Sequence, residues 1–121
     1  MHELSIAQSI LDALLTEKQA RDLDRIDSVM VHVGALSGVL PDALEFSFEA
    51  IRIDTELEQC KLQIETIPIT VACRTCGQTN TVEDFLFLCP ACESVHVDVE
   101  AGYELEIAYI EVPDSIEEPV P

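Results

Sequence analysis

Positive charge is what this chain has least of: six Lys and Arg stand against 24 Asp and Glu in 121 residues, a formal net charge of −18. All six cations lie at or before Arg74, so residues 75–121 carry eleven acids with no Lys or Arg among them. A surface of that sign repels a phosphate backbone and an anionic bilayer alike, which excludes a nucleic-acid binder and leaves basic proteins and metal cations as partners. Long apolar runs are also missing. None approaches the roughly 18 residues that a membrane-spanning helix needs. The opening MHELSIAQSIL has neither the basic start nor the unbroken apolar stretch of a secretory leader. The expectation is a cytoplasmic protein with no membrane insertion. Catalytic signatures are absent as well. The four glycines form no phosphate-binding loop, there is no H-E-x-x-H, no serine sits in a nucleophile elbow, and the carboxylates are too many for one acid–base pair to stand out. An enzyme is not expected.

What the chain does have is the segment CRTCGQTNTVEDFLFLCPAC, in which Cys73, Cys76, Cys89 and Cys92 form two C-x-x-C pairs with twelve residues between them. Each pair wraps an ion from a tight turn, and four thiolates favour tetrahedral zinc. Gly77 suits the left-handed position that such a turn requires. Iron held by the same thiolates, a dithiol redox module and a disulfide pair are the alternatives. Four protein ligands fill a tetrahedral ion and leave no place for a reactive water, so the cluster is read as architecture. The fifth cysteine, Cys60, stands outside the spacing and reads as a small buried hydrophobe.

In chain order, Ser5 with Gln8 matches a capping box, and Leu4, Ala7, Ile10, Leu11 and Leu14 recur at helical spacing, predicting a helix that runs to Arg21 or Asp22. IDSVMVHV alternates as a strand with His32 in its middle, read as a structural or half-exposed histidine. Pro41 opens a second helix whose apolar stripe is Leu44, Phe48 and Ile51, joined by Phe46 and Ala50. A strand from Leu62 to Val71 is interrupted by Pro68, which marks an edge or a bulge. Two ribbon strands are expected between the cysteine pairs, with Phe85 and Phe87 over the metal. A further strand, a turn at Ala101–Gly102 and a last strand through Val112 follow. The last strand is expected to pair with the Leu62–Val71 strand, and the acidic tail PDSIEEPVP to fray.

The amino terminus offers a second kind of site. The amine of Met1, the amide nitrogen of His2 and its imidazole Nδ1 close five- and six-membered chelate rings on one ion. A deprotonated amide is a strong in-plane donor, matched to square-planar Ni(II) or Cu(II) rather than to zinc. Glu3 reads equally as a favourable charge ahead of a helix.

MHE, the G-A-L-S turn, P-D-A-L-E-F-S-F-E and the paired C-x-x-C motifs follow one another in one short chain. That order resembles the HypA/HybF family, the hydrogenase nickel-incorporation accessory proteins, over residues 1 to about 112. The resemblance implies a nickel metallochaperone that delivers or helps insert Ni(II) into the [NiFe]-hydrogenase large subunit, working with a nickel-handling GTPase. It places nickel binding on Met1, His2 and Glu3, extends the candidates to His96, and puts structural zinc on Cys73, Cys76, Cys89 and Cys92. The implied fold is α+β: two helices packed on a small three-stranded mixed or antiparallel sheet, with an inserted zinc-ribbon-like domain. The expected division is 1–71 with 103–113 for the α/β nickel-binding domain, 72–102 for the zinc-binding domain, and 114–121 for the tail. The alternative from another class is a zinc-stabilised interaction adaptor with no exchangeable metal. One residue departs from the family pattern: Glu93 follows the last cysteine where a glycine is common, which strains a left-handed turn there.

Overall fold

The computed structural model describes residues 3–83, 87–113 and 115–117. The chain runs α1 (Glu3–Ala20), β1 (Ser28–Gly34), α2 (Pro41–Ile51), β2 (Lys61–Ile67), β3 (Ile69–Cys73), β4 (Thr79–Val82), β5 (Val97–Ala101), β6 (Leu105–Val112) and β7 (Ser115–Glu117). Two sheets result: a four-stranded one in the order β2-β1-β6-β7, and a three-stranded one in the order β4-β3-β5. β1 pairs parallel with β2 and antiparallel with β6, so the first sheet is mixed. The expected α+β architecture of two helices, a small mixed sheet and a cysteine-rich insertion is the observed one.

Alternation along β1 decides where the core lies. Val29, Val31 and Val33 are at most 1 % exposed and face the helices, whereas Met30 and His32 turn to the other face. Against the valines pack Ala7, Ile10, Leu11 and Leu14 from α1 and Leu44 and Phe48 from α2. Cys60 is buried in the same core, as its isolation from the metal spacing implied. His32, half-buried on the outer face, lies between the carboxylates of Glu65 on β2, 3.9 Å from Nε2, and Glu106 on β6, 3.6 Å from Nδ1.

Several details differ from the expectation. α1 begins at Glu3, so Ser5 lies inside its first turn rather than capping it, and Gln8 bonds Asp12 instead. An acid at the head of a helix is favoured by the dipole, which lets the helix extend to Glu3. Leu4 is 56 % exposed and stands outside the core that its helical spacing suggested. Phe46, 74 % exposed, and Ala50 are outside the core. Each lies two residues from a buried position, and two residues turn a helix through roughly 200°.

The last long strand, β6, pairs with β1 and not with β2, which lies across β1 from it. The α2 crossover sets β2 parallel to β1 along one edge, and the other edge of β1 remains for β6. Pro68 divides the Leu62–Val71 stretch into β2 and β3, which join different sheets. Proline has no N–H for a ladder, so the chain changes sheet there. Part of the tail is ordered: Ser115–Glu117 adds β7 to the edge of β6.

The two sheets meet where Gly34 crosses the β5–β6 turn. Gly34 N donates to Glu104 O at 2.7 Å, and Leu36 N donates to Gly102 O at 2.7 Å. A Cβ on Gly34 would stand 2.1 Å from Gly102 O, which is backbone and cannot step aside cheaply. Gly34→Ala is therefore expected to cost about 1–3 kcal/mol in urea unfolding, whereas the same substitution at exposed Gly38, where a Cβ meets nothing within 4 Å, carries only the penalty of its left-handed backbone, about 1 kcal/mol.

Candidate metal centre

β3 ends at Cys73, and the chain turns at once into the first cysteine knuckle. Gly77 N donates to Cys73 O at 3.0 Å, and Cys73 N donates to Gln78 O at 2.9 Å. The second knuckle repeats this geometry: Glu93 N donates to Cys89 O at 2.7 Å, and Cys89 N donates to Ser94 O at 2.9 Å. Thr75 Oγ1 and Ser94 Oγ, 2.9 Å apart, tie the two turns together.

These turns bring four sulfurs to one point. Cys73 and Cys92 Sγ are 3.7 Å apart, Cys76 and Cys89 Sγ are 3.6 Å apart, and the four lie within 4.8 Å of one another. A tetrahedron with bonds of about 2.3 Å has edges of about 3.8 Å, so the donor set fits a tetrahedral, thiolate-seeking ion. The electrostatics call for a cation as well. The amide of Cys76, with that of Thr75, lowers the Cys73 thiol to about 6. At Cys92 the Ser94 amide pulls downward, but burial and the sulfurs of Cys73, Cys89 and Cys76 outweigh it and push the thiol up to about 12. Four thiolates do not coexist at this spacing without positive charge among them.

The lobe around the sulfurs has little else to hold it. Its buried cluster is Ile69, Val71 and Val82, with Leu36, Val97 and Val99 packed against it. A cluster of that size does not sustain a fold unaided. Arg74, the last cation in the chain, is spent within the lobe on Asp98 at 2.9 and 2.5 Å. Phe87 is 40 % exposed, and Phe85 lies outside the described residues.

Of the other candidate ligands, the described ones, Glu3 and His96, are not part of this cluster. Met1 and His2 lie outside the described residues. Glu3, the first residue of α1, accepts a hydrogen bond at Oε2 from Leu40 N at 3.2 Å. Leu40 is the N-cap of α2 and supplies no side-chain cap of its own, so the Glu3 carboxylate satisfies an amide at the head of the second helix. Sequence spacing does not reveal this contact, which spans 37 positions. His96 is exposed beside the second knuckle, its amide donating to Ser94 Oγ at 3.1 Å and its carbonyl accepting from Arg74 N at 2.9 Å. The backbone at His96 is held from both sides while its imidazole faces solvent.

Residues 1–112 match the family described as "Hydrogenase/urease nickel incorporation, metallochaperone, hypA". Among curated relatives, a hydrogenase maturation factor HypA of Geobacter metallireducens is 42 % identical over 112 residues, which is 93 % of this chain and 99 % of that protein. A second, from Geotalea uraniireducens, is 39 % identical over the same coverage. The solution structure of the Ni metallochaperone HypA from Helicobacter pylori shares the fold at a TM-score of 0.63 and 21 % identity, covering 93 % of this chain and 97 % of that one. Among the described residues no helix is long and apolar enough to cross a membrane.

Two outcomes follow from the knuckles. Glu93 adopts φ 65°, as the departure from glycine implied, where Gly77 in the matching turn adopts φ 78°. Glu93→Gly is expected to raise stability by roughly 0.5–1 kcal/mol, read as a higher thermal midpoint of the metal-loaded protein. Loading the metal-free chain with Zn(II) at pH 7 is expected to release about one proton or more per chain. Cys92, raised to about 12, must lose its proton to ligate, so affinity climbs as pH rises. Indicator-dye titration measures the release, and a proton-neutral uptake would contradict it.

Proposed function

Because this chain belongs to the HypA family of nickel metallochaperones for hydrogenase maturation, we propose that it carries Ni(II) at its amino terminus and hands it on while zinc holds the second lobe in shape. The family acts by metal delivery and not by catalysis. In this reading the Met1 amine and the His2 amide and imidazole form the in-plane chelate. Glu3 or His96 completes it, and Cys73, Cys76, Cys89 and Cys92 hold Zn(II).

The observation that carries the reading is a sulfur site already complete in itself. Four sulfurs at tetrahedral spacing saturate one ion and leave no exchangeable position. Cargo must be able to leave, so it needs nitrogen and oxygen donors elsewhere. His2 is one peptide bond from Glu3, and Glu3 is fixed by α1 on one side and by the Leu40 amide on the other. A carboxylate has more than one lone pair per oxygen, so this hydrogen bond is compatible with ligation. A planar chelate with one remaining position is open to a competing ligand. The nickel-handling GTPase and the [NiFe]-hydrogenase large subunit are the proposed giver and acceptor. The acidic surface, −18 in total, draws both cation and basic partner toward it.

Nickel titration of the zinc-loaded protein by calorimetry and absorption spectroscopy tests the assignment. His2→Ala, or one residue added before Met1, is expected to weaken Ni(II) by about tenfold or more with zinc content unchanged. Equal affinity and identical Ni(II) spectra would remove the amino-terminal site. Glu3→Ala separates two roles: loss of the contact to Leu40 costs about 0.5–1 kcal/mol of stability, and any further loss of nickel affinity reports ligation.

A further inference from the structure

We propose that the solvent face of α2 is a docking surface for a partner protein's amphipathic helix, one whose apolar row is flanked by Lys or Arg. Helix α2 has three faces. Leu44 and Phe48 fill the core at 0 % exposure. On the opposite side Phe46 is 74 % exposed, with Ala50 one turn on and Ile53, 59 % exposed, just past the helix end. Beside that apolar row stand Asp42, Glu45 and Glu49, all exposed and spaced by three and four residues along one line. An aromatic ring standing clear of small neighbours such as Ala50 is the geometry of an anchor that inserts between side chains of a partner.

Charge selects the occupant. No Lys or Arg occurs between residues 26 and 51, and Arg52 is turned away to the carbonyl of Cys60. The acidic row is therefore not neutralised by its own helix. A second copy of a chain carrying −18 meets this row with like charge, which disfavours self-association there. Nucleic acid is refused for the same reason. A helix with an apolar seam and basic flanks buries Phe46 and Ile53 while its cations meet Asp42, Glu45 and Glu49.

Position ties the surface to the cargo. The head of α2 is the point at which the Leu40 amide bonds Glu3. A partner lying along α2 thus ends beside the residues proposed to hold nickel, and the inference rests on that reading for its purpose, although not for its geometry.

The test uses the full-length, zinc-loaded protein, with the purified nickel-handling GTPase and the purified hydrogenase large subunit as separate probes in calorimetric and amide chemical-shift titrations. For at least one probe, shifts are expected to centre on Phe46, Ala50 and Ile53. The double variant Phe46→Ser, Ile53→Ser is expected to lose about tenfold or more in affinity with its melting profile and nickel binding intact. Glu45→Gln with Glu49→Gln is expected to flatten the salt dependence, and Tyr103→Ser, 66 % exposed and between β5 and β6, to change nothing. Wild-type binding that the serine variant retains overturns this inference and leaves the partner assignment standing. Failure of the wild-type chain to bind either probe overturns both.

Discussion

The strand β1 is hydrogen-bonded along both edges, and the rest of the molecule depends on that constraint. Its valines are sealed beneath two helices while its backbone is shared between a parallel neighbour and an antiparallel one. Its last residue, Gly34, has no side chain because the β5–β6 turn passes through the space where one would stand. The strand therefore organises the first core and, at its end, fixes the second lobe against it. A short chain that cannot build two large cores gains its second lobe by attachment to the first, with four cysteines placed to hold an ion.

Division of labour follows from coordination chemistry. The sulfur site is closed: it is pre-shaped by two matching knuckles and needs a cation to settle its thiols. It can stabilise, but saturated coordination makes it a poor carrier. In the proposed function the amino-terminal donors are the reverse, suited to a planar ion and open to exchange. Under that proposal, keeping the two chemistries on different donor sets lets the protein give up one ion without unfolding around the other. The sulfur lobe is acidic throughout, since its one Lys or Arg, Arg74, is locked onto Asp98.

Much of this was legible in residue order because it rests on local rules. The C-x-x-C pairs announced their turns, and even the strain at Glu93 followed from one missing glycine. Pro68 marked a break, and the 2-residue and 3.6-residue periods located β1 and both helices. Errors arose where a pattern was extended beyond its period. Hydrophobicity alone groups Phe46 with Leu44 and Phe48, although its angular position sends it to the opposite face, where it is 74 % exposed. The capping box at Ser5 matched in letters, yet the helix starts two residues earlier.

By itself, then, the sequence determined the four-cysteine cluster, the element types and the sign of the surface, because each depends on residue identity at short spacing. Tertiary structure alone decided that β6 lies beside β1 and not β2, that the chain changes sheets at Pro68, and that Glu3 satisfies the head of a helix 37 residues away. Those outcomes depend on which edge is left unpaired and which amide is left without a partner once the core has closed. No window of sequence contains both sides of such a contact.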